Sequence, residues 1–322
     1  MNVKRRGLVA KLRPAVLPGP DRALPLRYRL RRPPLTGFRR PPRVYGRIGD
    51  LEVRLARSKS DIKRAQKLRY RVFYEELAAI PDALAQMSRR DEDSYDPLCD
   101  HLLVVDHGHV SKARRPWPRK PRVVGTYRVL RQEVADLNDG FYSQGEYNIA
   151  SLLERRGRSC RFLELGRSCV LAPYRNRRSL ELLWQGVWTY AREHGTDVMI
   201  GCASFEGTDP YQHATALSFL HHHARAPEKW RVAAHDDRFV DMNMIPASQI
   251  DPRAAIRSLP PLIKGYLRVG AYFGDGAVID HQFGTTDVFV ILPVEAIGER
   301  YLAHFGAADE FSSQASEALR VN

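Results

Sequence analysis

The chain has 322 residues and a formal net charge of +14. That length allows one large or two ordinary domains with a sizeable core, and no apolar run approaches the ~20 residues that would span a bilayer as a helix. The charge is uneven: residues 1–47 hold fourteen Lys or Arg against one acid, Asp21, which is +13 and leaves +1 for the other 275 residues.

Residues 1–47 are therefore read as a basic, Pro-rich, disordered arm with no sustained apolar period. Such an arm is either a solubilising tail or a contact for something polyanionic: an anionic membrane surface, an acidic protein or nucleic acid. No apolar stretch follows the charges as in a secretory signal. The cysteines Cys99, Cys160, Cys169 and Cys202 lack metal-ligand spacing and read as buried thiols of a reducing cytoplasm.

Order is expected to start near Leu51, where LEVRLA alternates as a half-buried strand does. Ser60 and Asp61 can then cap a helix through IKRAQKLRYRVFYEEL, with Ile62, Ala65, Leu68, Val72 and Phe73 at helical spacing. A polar loop, RRDEDSYDPLCD, precedes the strand HLLVVD; a basic turn, SKARRPWPRKP, precedes the strand VVGTYRVL; and RFLELGRSCVL follows. These strands suggest an antiparallel meander. The clearest helix is RRSLELLWQGVWTYAREHG, with Leu180, Leu183, Trp184, Val187, Trp188 and Ala191 in one stripe and Gly195 at its C-terminal end. A buried strand, DVMIGCASF, comes next, and strand–helix–strand order implies a parallel crossover. Asp209 and Pro210 open another helix; a further helix (IRSLPPLIKGYLRVGAYF) and a strand (TTDVFVILPV) follow, and the tail beyond about Ala307 is small and polar. The expected architecture is a mixed sheet with helices on its faces, α/β or α+β.

RFLELGRSCVL (residues 161–171) carries an anomaly: Glu164 and Arg167 lie inside a core strand. A bulge at Gly166 would shift the register by one, bring both charges to one side and splay the strand, freeing amides for an extended ligand arm. A structural ion pair is the plainer explanation. DEDSYD lacks the central Gly and final Glu of a calcium loop, so no metal is expected there. His221, His222 and His223 are consecutive and cannot share one helix face, so metal ligation is not expected of them either.

Four motifs occur in order: Leu68, Arg69, Val72 and Phe73; Asp93, Tyr95 and Asp96; Gly125, Arg128, Val129 and Leu130; and Glu164, Gly166 and Arg167. In this the chain resembles the acyl-homoserine lactone synthases, a branch of the GNAT-like N-acyltransferases. Where that family has a Trp six residues after the helix Phe, this chain has Ala79, and where it has Ser this chain has Gly166. Residues 50–306 as a whole are similar to the bacterial ornithine N-acyltransferases, including the block LPPLIKGYLRVGAYFGDGAVIDHQFGTTDVFVILPVEAI.

The resemblance implies a GNAT-like acyltransferase fold over residues 48–306, with a mostly antiparallel, splayed sheet, and a flexible tail at 307–322. It implies transfer of a 3-hydroxyacyl group from acyl carrier protein to the α-amine of L-ornithine, in the cytoplasm and at the inner leaflet. The only cofactor expected is the carrier's phosphopantetheine; nucleic acid is not expected. Glu164 is then the candidate general base, raised toward a useful pKa by burial. Amides near Cys169 and Val170 could stabilise the oxyanion along the pantetheine strand. Asp93 and Asp96 could hold ornithine's cationic end, Arg69 or Arg167 its carboxylate, and Arg128 the Asp loop, with Phe73 beside Arg69 on the helix. Arg175, Arg177 and Arg178 stand where the family's phosphate loop lies, and suit an acidic carrier with a phosphodiester. Three other readings compete: a lactone-type synthase, an N-acyltransferase with another amino-acid acceptor, and an adaptor on a degenerate fold. A covalent acyl-enzyme on Cys169 or Cys202 has no supporting motif.

Overall fold

A computed structural model describes residues 43–77, 79–108 and 121–297. The arm to residue 42, nearly all of the basic turn at 111–121 and the tail from 307 lie outside the described residues. The first strand, β1 (Val44–Ile48), begins within residues 1–47, the segment read from sequence as the arm. Gly49, in the left-handed region at φ 59°, turns it into β2 (Leu51–Leu55). Helix α1 (Lys59–Tyr70) is capped by Ser58, which accepts from the Asp61 N–H, so the cap lies ahead of the expected Ser60. Beyond Tyr70 the expected helix continues as a π-helical turn, Arg71–Glu76, marked by the Leu77 N–H donating to the Val72 carbonyl at 3.1 Å.

Helix α2 (Ala83–Ser88), strand β3 (Asp100–Asp106) and strand β4 (Arg122–Arg131) follow. The short helices α3 (Gln132–Ala135) and α4 (Ile149–Arg156) precede β5 (Phe162–Val170). Helix α5 (Arg177–Glu193) leads to β6 (Val198–Glu206), and then α6 (Ala214–His223). The helix expected around residues 256–273 is two helices, α7 (Pro252–Ser258) and α8 (Pro261–Arg268), because Pro260 and Pro261 cannot continue a helical ladder. Strands β7 (Tyr272–Asp280) and β8 (Thr285–Pro293) close the element list.

The eight strands form one sheet in the order β1-β2-β3-β4-β5-β6-β8-β7. Every neighbouring pair is antiparallel except β5 and β6. Adjacent residues of β2 show that the two long helices cover opposite faces. Gly186 of α5 lies over Val53, where an added Cβ would stand 2.6 Å from Val53 Cγ2. Arg54, on the other face, donates to Asp61 of α1 at 2.9 Å. The stripe of α5 is buried at Leu183, Val187 and Ala191, while Leu180 stands exposed near its start. Gly195 ends that helix in the left-handed region, φ 56°.

The feature that makes the site is a fork. Strands β5 and β6 pair only through Phe162, Leu163 and Glu164 with Val198, Met199 and Ile200. Beyond that, β6 pairs with β8 alone on this stretch while β5 stays with β4. Gly201 sits at the branch, and an added Cβ would meet the Leu165 carbonyl oxygen at 2.2 Å. No side chain fits there without moving one strand. Gly201→Ala is therefore expected to lower unfolding free energy in urea by about 1–3 kcal/mol; a loss under about 0.5 kcal/mol would show that the branch yields freely.

Candidate active site

The fork opens on a cavity of about 1880 Å³. Its walls include Leu165–Val170 of β5, Cys202–Glu206 of β6, the first turns of α5, part of α8, and Phe73 and Phe283. Trp184, Leu180, Leu259, Leu262 and Val269 make one side apolar. Behind it, the Tyr127 and Tyr266 hydroxyls share a 2.8 Å hydrogen bond, and Trp184 meets the Tyr266 ring edge-on.

Glu164 lies at the fork, buried on the cavity wall. Its carboxylate accepts the backbone N–H groups of Tyr142 at 2.7 Å and Ser143 at 2.8 Å. Burial pushes its pKa up, and the Ser143 hydroxyl and these two amides pull it part of the way back.

The expected bulge is present but displaced. The register slips between Thr126 and Arg128, which face Cys169 and Gly166, so the extra residue lies at Arg167–Ser168. Arg167 itself takes the left-handed conformation, φ 51°, and Gly166 does not. Arg167 and Glu164 both end against the same short segment: Arg167 Nη2 donates to the Tyr142 hydroxyl at 3.1 Å. A guanidinium in left-handed backbone is locally costly, and the contacts that hold it are ionic and aromatic.

Those contacts belong to a buried cluster of three arginines and three aspartates. Arg69, fully buried on α1, meets Asp96 at 2.7 Å and Asp91 at 2.7 Å. Arg128 Nη1 donates to Asp93 at 2.6 Å and to Asp96 at 3.1 Å. Arg167 reaches Asp93 at 3.1 Å and Asp91 at 3.4 Å, and its guanidinium lies 4.5 Å from the Phe283 ring centre. Burial pushes the Asp96 carboxyl up, but Arg69 and Arg128 outweigh it and hold it well below the usual carboxylate range. The formal charges cancel, so the cluster tolerates burial. Of its members only Arg128 and Arg167 line the cavity. Arg69, Asp93 and Asp96, expected to touch a substrate, are not part of the cavity wall: Arg69 pairs with Asp91 and Asp96, and Asp93 with Arg128 and Arg167. Asp91 completes the set and was not singled out from sequence, although it stands in the same loop.

The strand amides divide by alternation. Leu171 N–H donates to the Val124 carbonyl beside β4. The Val170 N–H, one residue away, therefore faces the gap, and that of Cys169 faces β4. Burial pushes the Cys169 thiol up to about 12 and the Cys202 thiol well above its ordinary value, which removes the thiolate a covalent route needs. Arg175 bridges the mouth of the cavity, donating to the Val170 carbonyl at 2.9 Å and to Glu76 at 2.6 Å. Arg177 pairs with Glu181 at 2.5 Å on the exposed first turn of α5. Arg178 is exposed and is not part of the cavity wall. The cavity has further polar residues that no motif marked: Tyr142, Ser143, Glu146, Cys202, Asp280 and Asp287. Among the described residues no helix is long and apolar enough to cross a membrane.

A strand fork beside the N-terminus of a long helix, over a deep cavity, is the frame of a GNAT-type acyltransferase. The family described as acetyltransferase (GNAT) domain matches residues 68–185, and the chain has that fold. The chain is 51% identical over 264 residues to a Brucella abortus protein named L-ornithine N(alpha)-acyltransferase, covering 82% of this chain and 92% of that one. A Rhizobium meliloti protein of the same name is 51% identical over 274 residues, 85% and 90% of the two chains. The chain belongs to this L-ornithine N(alpha)-acyltransferase family of acyltransferase enzymes. Among solved structures it is similar to FeeM, an N-acyl amino acid synthase from uncultured soil microbes, at 12% identity and TM-score 0.43, over 76% of this chain and 91% of that one. A CoA-dependent acyl-homoserine lactone synthase, BjaI, matches at 15% identity and TM-score 0.36, over 77% and 83% of the two chains.

The cluster makes a stability prediction. Asp96 titrates lower in the folded chain than unfolded, so its stabilisation is complete above its unfolded value near ~4 and is lost as pH falls below that. Asp96→Asn, leaving Arg69 and Arg128 short of a partner, is expected to cost about 3–5 kcal/mol at pH 7 and to flatten the acid limb of melting temperature against pH. An unchanged acid limb would assign that limb to other groups.

Proposed function

We propose that this chain transfers a 3-hydroxyacyl group from the phosphopantetheine thioester of acyl carrier protein to the α-amine of L-ornithine. One observation carries the reading: Glu164, a buried carboxylate of raised pKa, stands where β5 leaves β6 and on the wall of a cavity with an apolar side. The names of the relatives supply the acceptor. The donor is a thioester because a neutral amine needs an activated carbonyl, and the fork offers an extended arm free backbone to bind.

In this reading the pantetheine arm lies along β5 and its phosphate approaches the first turn of α5. Arg175, Arg177 and Arg178 face the acidic carrier, and the acyl chain follows the side formed by Leu180, Trp184, Leu259 and Leu262. Glu164 removes a proton from the α-ammonium, directly or through a water. The amine nitrogen attacks the thioester carbon, the oxyanion is met by the Val170 amide, the carbon–sulfur bond breaks, and the thiol leaves with a proton. Arg167, which lines the cavity, is better placed than the enclosed Arg69 to take the acceptor's carboxylate. Arg69, Asp93 and Asp96 hold Arg128 and Arg167 in position, and Phe73 packs edge-on against Phe283, 5.5 Å between ring centres.

Glu164→Gln removes the base and keeps at most one of the two amide contacts, because its –NH2 cannot accept a backbone N–H. It is expected to lower kcat by ~10²–10⁴ and to lower the melting temperature through the amide left unpaired; near-full activity at saturating substrates would assign the base elsewhere. The basic arm is proposed to hold the enzyme at the anionic inner leaflet, where a lipid product is delivered. Deleting residues 1–42 should leave turnover of water-soluble substrates intact and weaken binding to vesicles containing anionic lipid. Equal vesicle binding with and without the arm would make it a solubilising tail.

A further inference from the structure

In the proposed function the acceptor's side-chain charge still lacks a counter-charge. Asp93 and Asp96 are neutralised by arginines, and neither lines the cavity. A second acidic group does line it: Glu146, Asp280 and Asp287, whose carboxylate oxygens lie within 4.8 Å of one another.

This group is electrically unfinished. Asp287 is 7% exposed; the Ser204 and Thr285 hydroxyls act on its carboxylate, but its buried Oδ1 has no hydrogen-bond partner of good geometry. The cation beside the trio is Arg238, whose Nη1 stands 3.8 Å from Glu146 Oε1 on a half-exposed side chain. Arg167 adds a weaker positive influence on Asp287. Among the described residues the trio's ion pair is with this one loosely held guanidinium, in contrast to the balanced cluster, and Asp280 Oδ1 also accepts the Gln282 and Phe283 N–H groups at 2.8 and 2.9 Å. Burial and then the charges of Asp287 and Asp280 push Glu146 up to about 7; burial first, with Asp280, pushes Asp287 up to about 6 against the Ser204 and Thr285 hydroxyls. An arriving cation would relieve all three at once.

Its position relative to Glu164 is also informative. Cys202 Sγ lies 3.4 Å from Glu146 Oε2 and 3.4 Å from Ser143 Oγ. The Ser143 N–H donates to Glu164 at 2.8 Å. Ser143 and Cys202 thus link the trio to the proposed base through direct contacts. The two nitrogens of ornithine are separated by four carbon atoms, and Glu164 and the trio line the same cavity.

Resting on the function proposed above, we infer that Glu146, Asp280 and Asp287 form the recognition site for the acceptor's side-chain ammonium and select a diamino acid over an amino acid with a neutral side chain. An ammonium brings three donors, enough to reach each carboxylate of the trio, Asp287 Oδ1 included.

The test uses the purified full-length chain, an acyl-carrier thioester, and either L-ornithine or L-norvaline, which has the same carbon chain without the δ-amine. The wild type should favour ornithine in kcat/KM by ~10- to 100-fold, the range of a charge-assisted hydrogen bond. Asp287→Asn should bring that ratio toward parity, mainly through a higher KM for ornithine. A ratio that Asp287→Asn leaves unchanged, or a wild type that uses both acceptors equally, would overturn the assignment. If Asp287→Asn gives no cooperative melt, Glu146→Gln is read in the same way. Loss of ornithine acylation on adding EDTA, restored by Mg²⁺ or Ca²⁺, would make the trio a metal site and overturn the assignment. A wild type that acylates neither amino acid would overturn the proposed function itself, and the subsite with it.

Discussion

Everything about the site depends on the place where β5 stops pairing with β6. Three residue pairs hold the strands together and then Gly201 and Leu165 part. Backbone polar groups that lose a ladder partner need another, and in this molecule the opening faces a cavity large enough for an acyl thioester. The bulge at Arg167–Ser168 belongs to the same event. It keeps β5 registered on β4 while turning Arg167 toward the cavity.

Two acidic groups flank this opening and are handled differently. Asp91, Asp93 and Asp96 are matched one for one by Arg69, Arg128 and Arg167. That arrangement ties the loop at 91–96 to α1, β4 and β5, and it presents Arg128 and Arg167 in fixed positions. Glu146, Asp280 and Asp287 come from an irregular segment and from the ends of β7 and β8, and their charge is left largely unmatched. A balanced cluster stabilises geometry, whereas an unbalanced one stores affinity for a cation.

Much of the fold was legible because its signals are local. The period of α5, the alternation of β2 and the apolar runs of β3 to β6 each show in a short window. The parallel crossover followed from the length of the helix between two strands. Glu164 and Arg167 stood out because charges are rare in a buried strand. The rest depended on distant pairing. That Arg69 is enclosed follows from Asp91 and Asp96 arriving from another loop. The Pro260–Pro261 break was visible in the residues, yet the apolar spacing on both sides favoured one helix. Glu146, Asp280 and Asp287 lie more than a hundred residues apart at the extremes, in segments with no motif, and only the sheet order brings them together. Strand β7 is not legible in the sequence because its Gly-rich start, YFGDGAV, interrupts alternation.

With one nitrogen of a diamine at Glu164 and the other at the trio, the position of the new amide bond is the most direct test. Purified enzyme supplied with acyl-carrier thioester and L-ornithine should give a product acylated at the α-nitrogen alone, with the δ-amine free by fragmentation mass spectrometry. Acylation at the δ-nitrogen, or a mixture of the two, would contradict it.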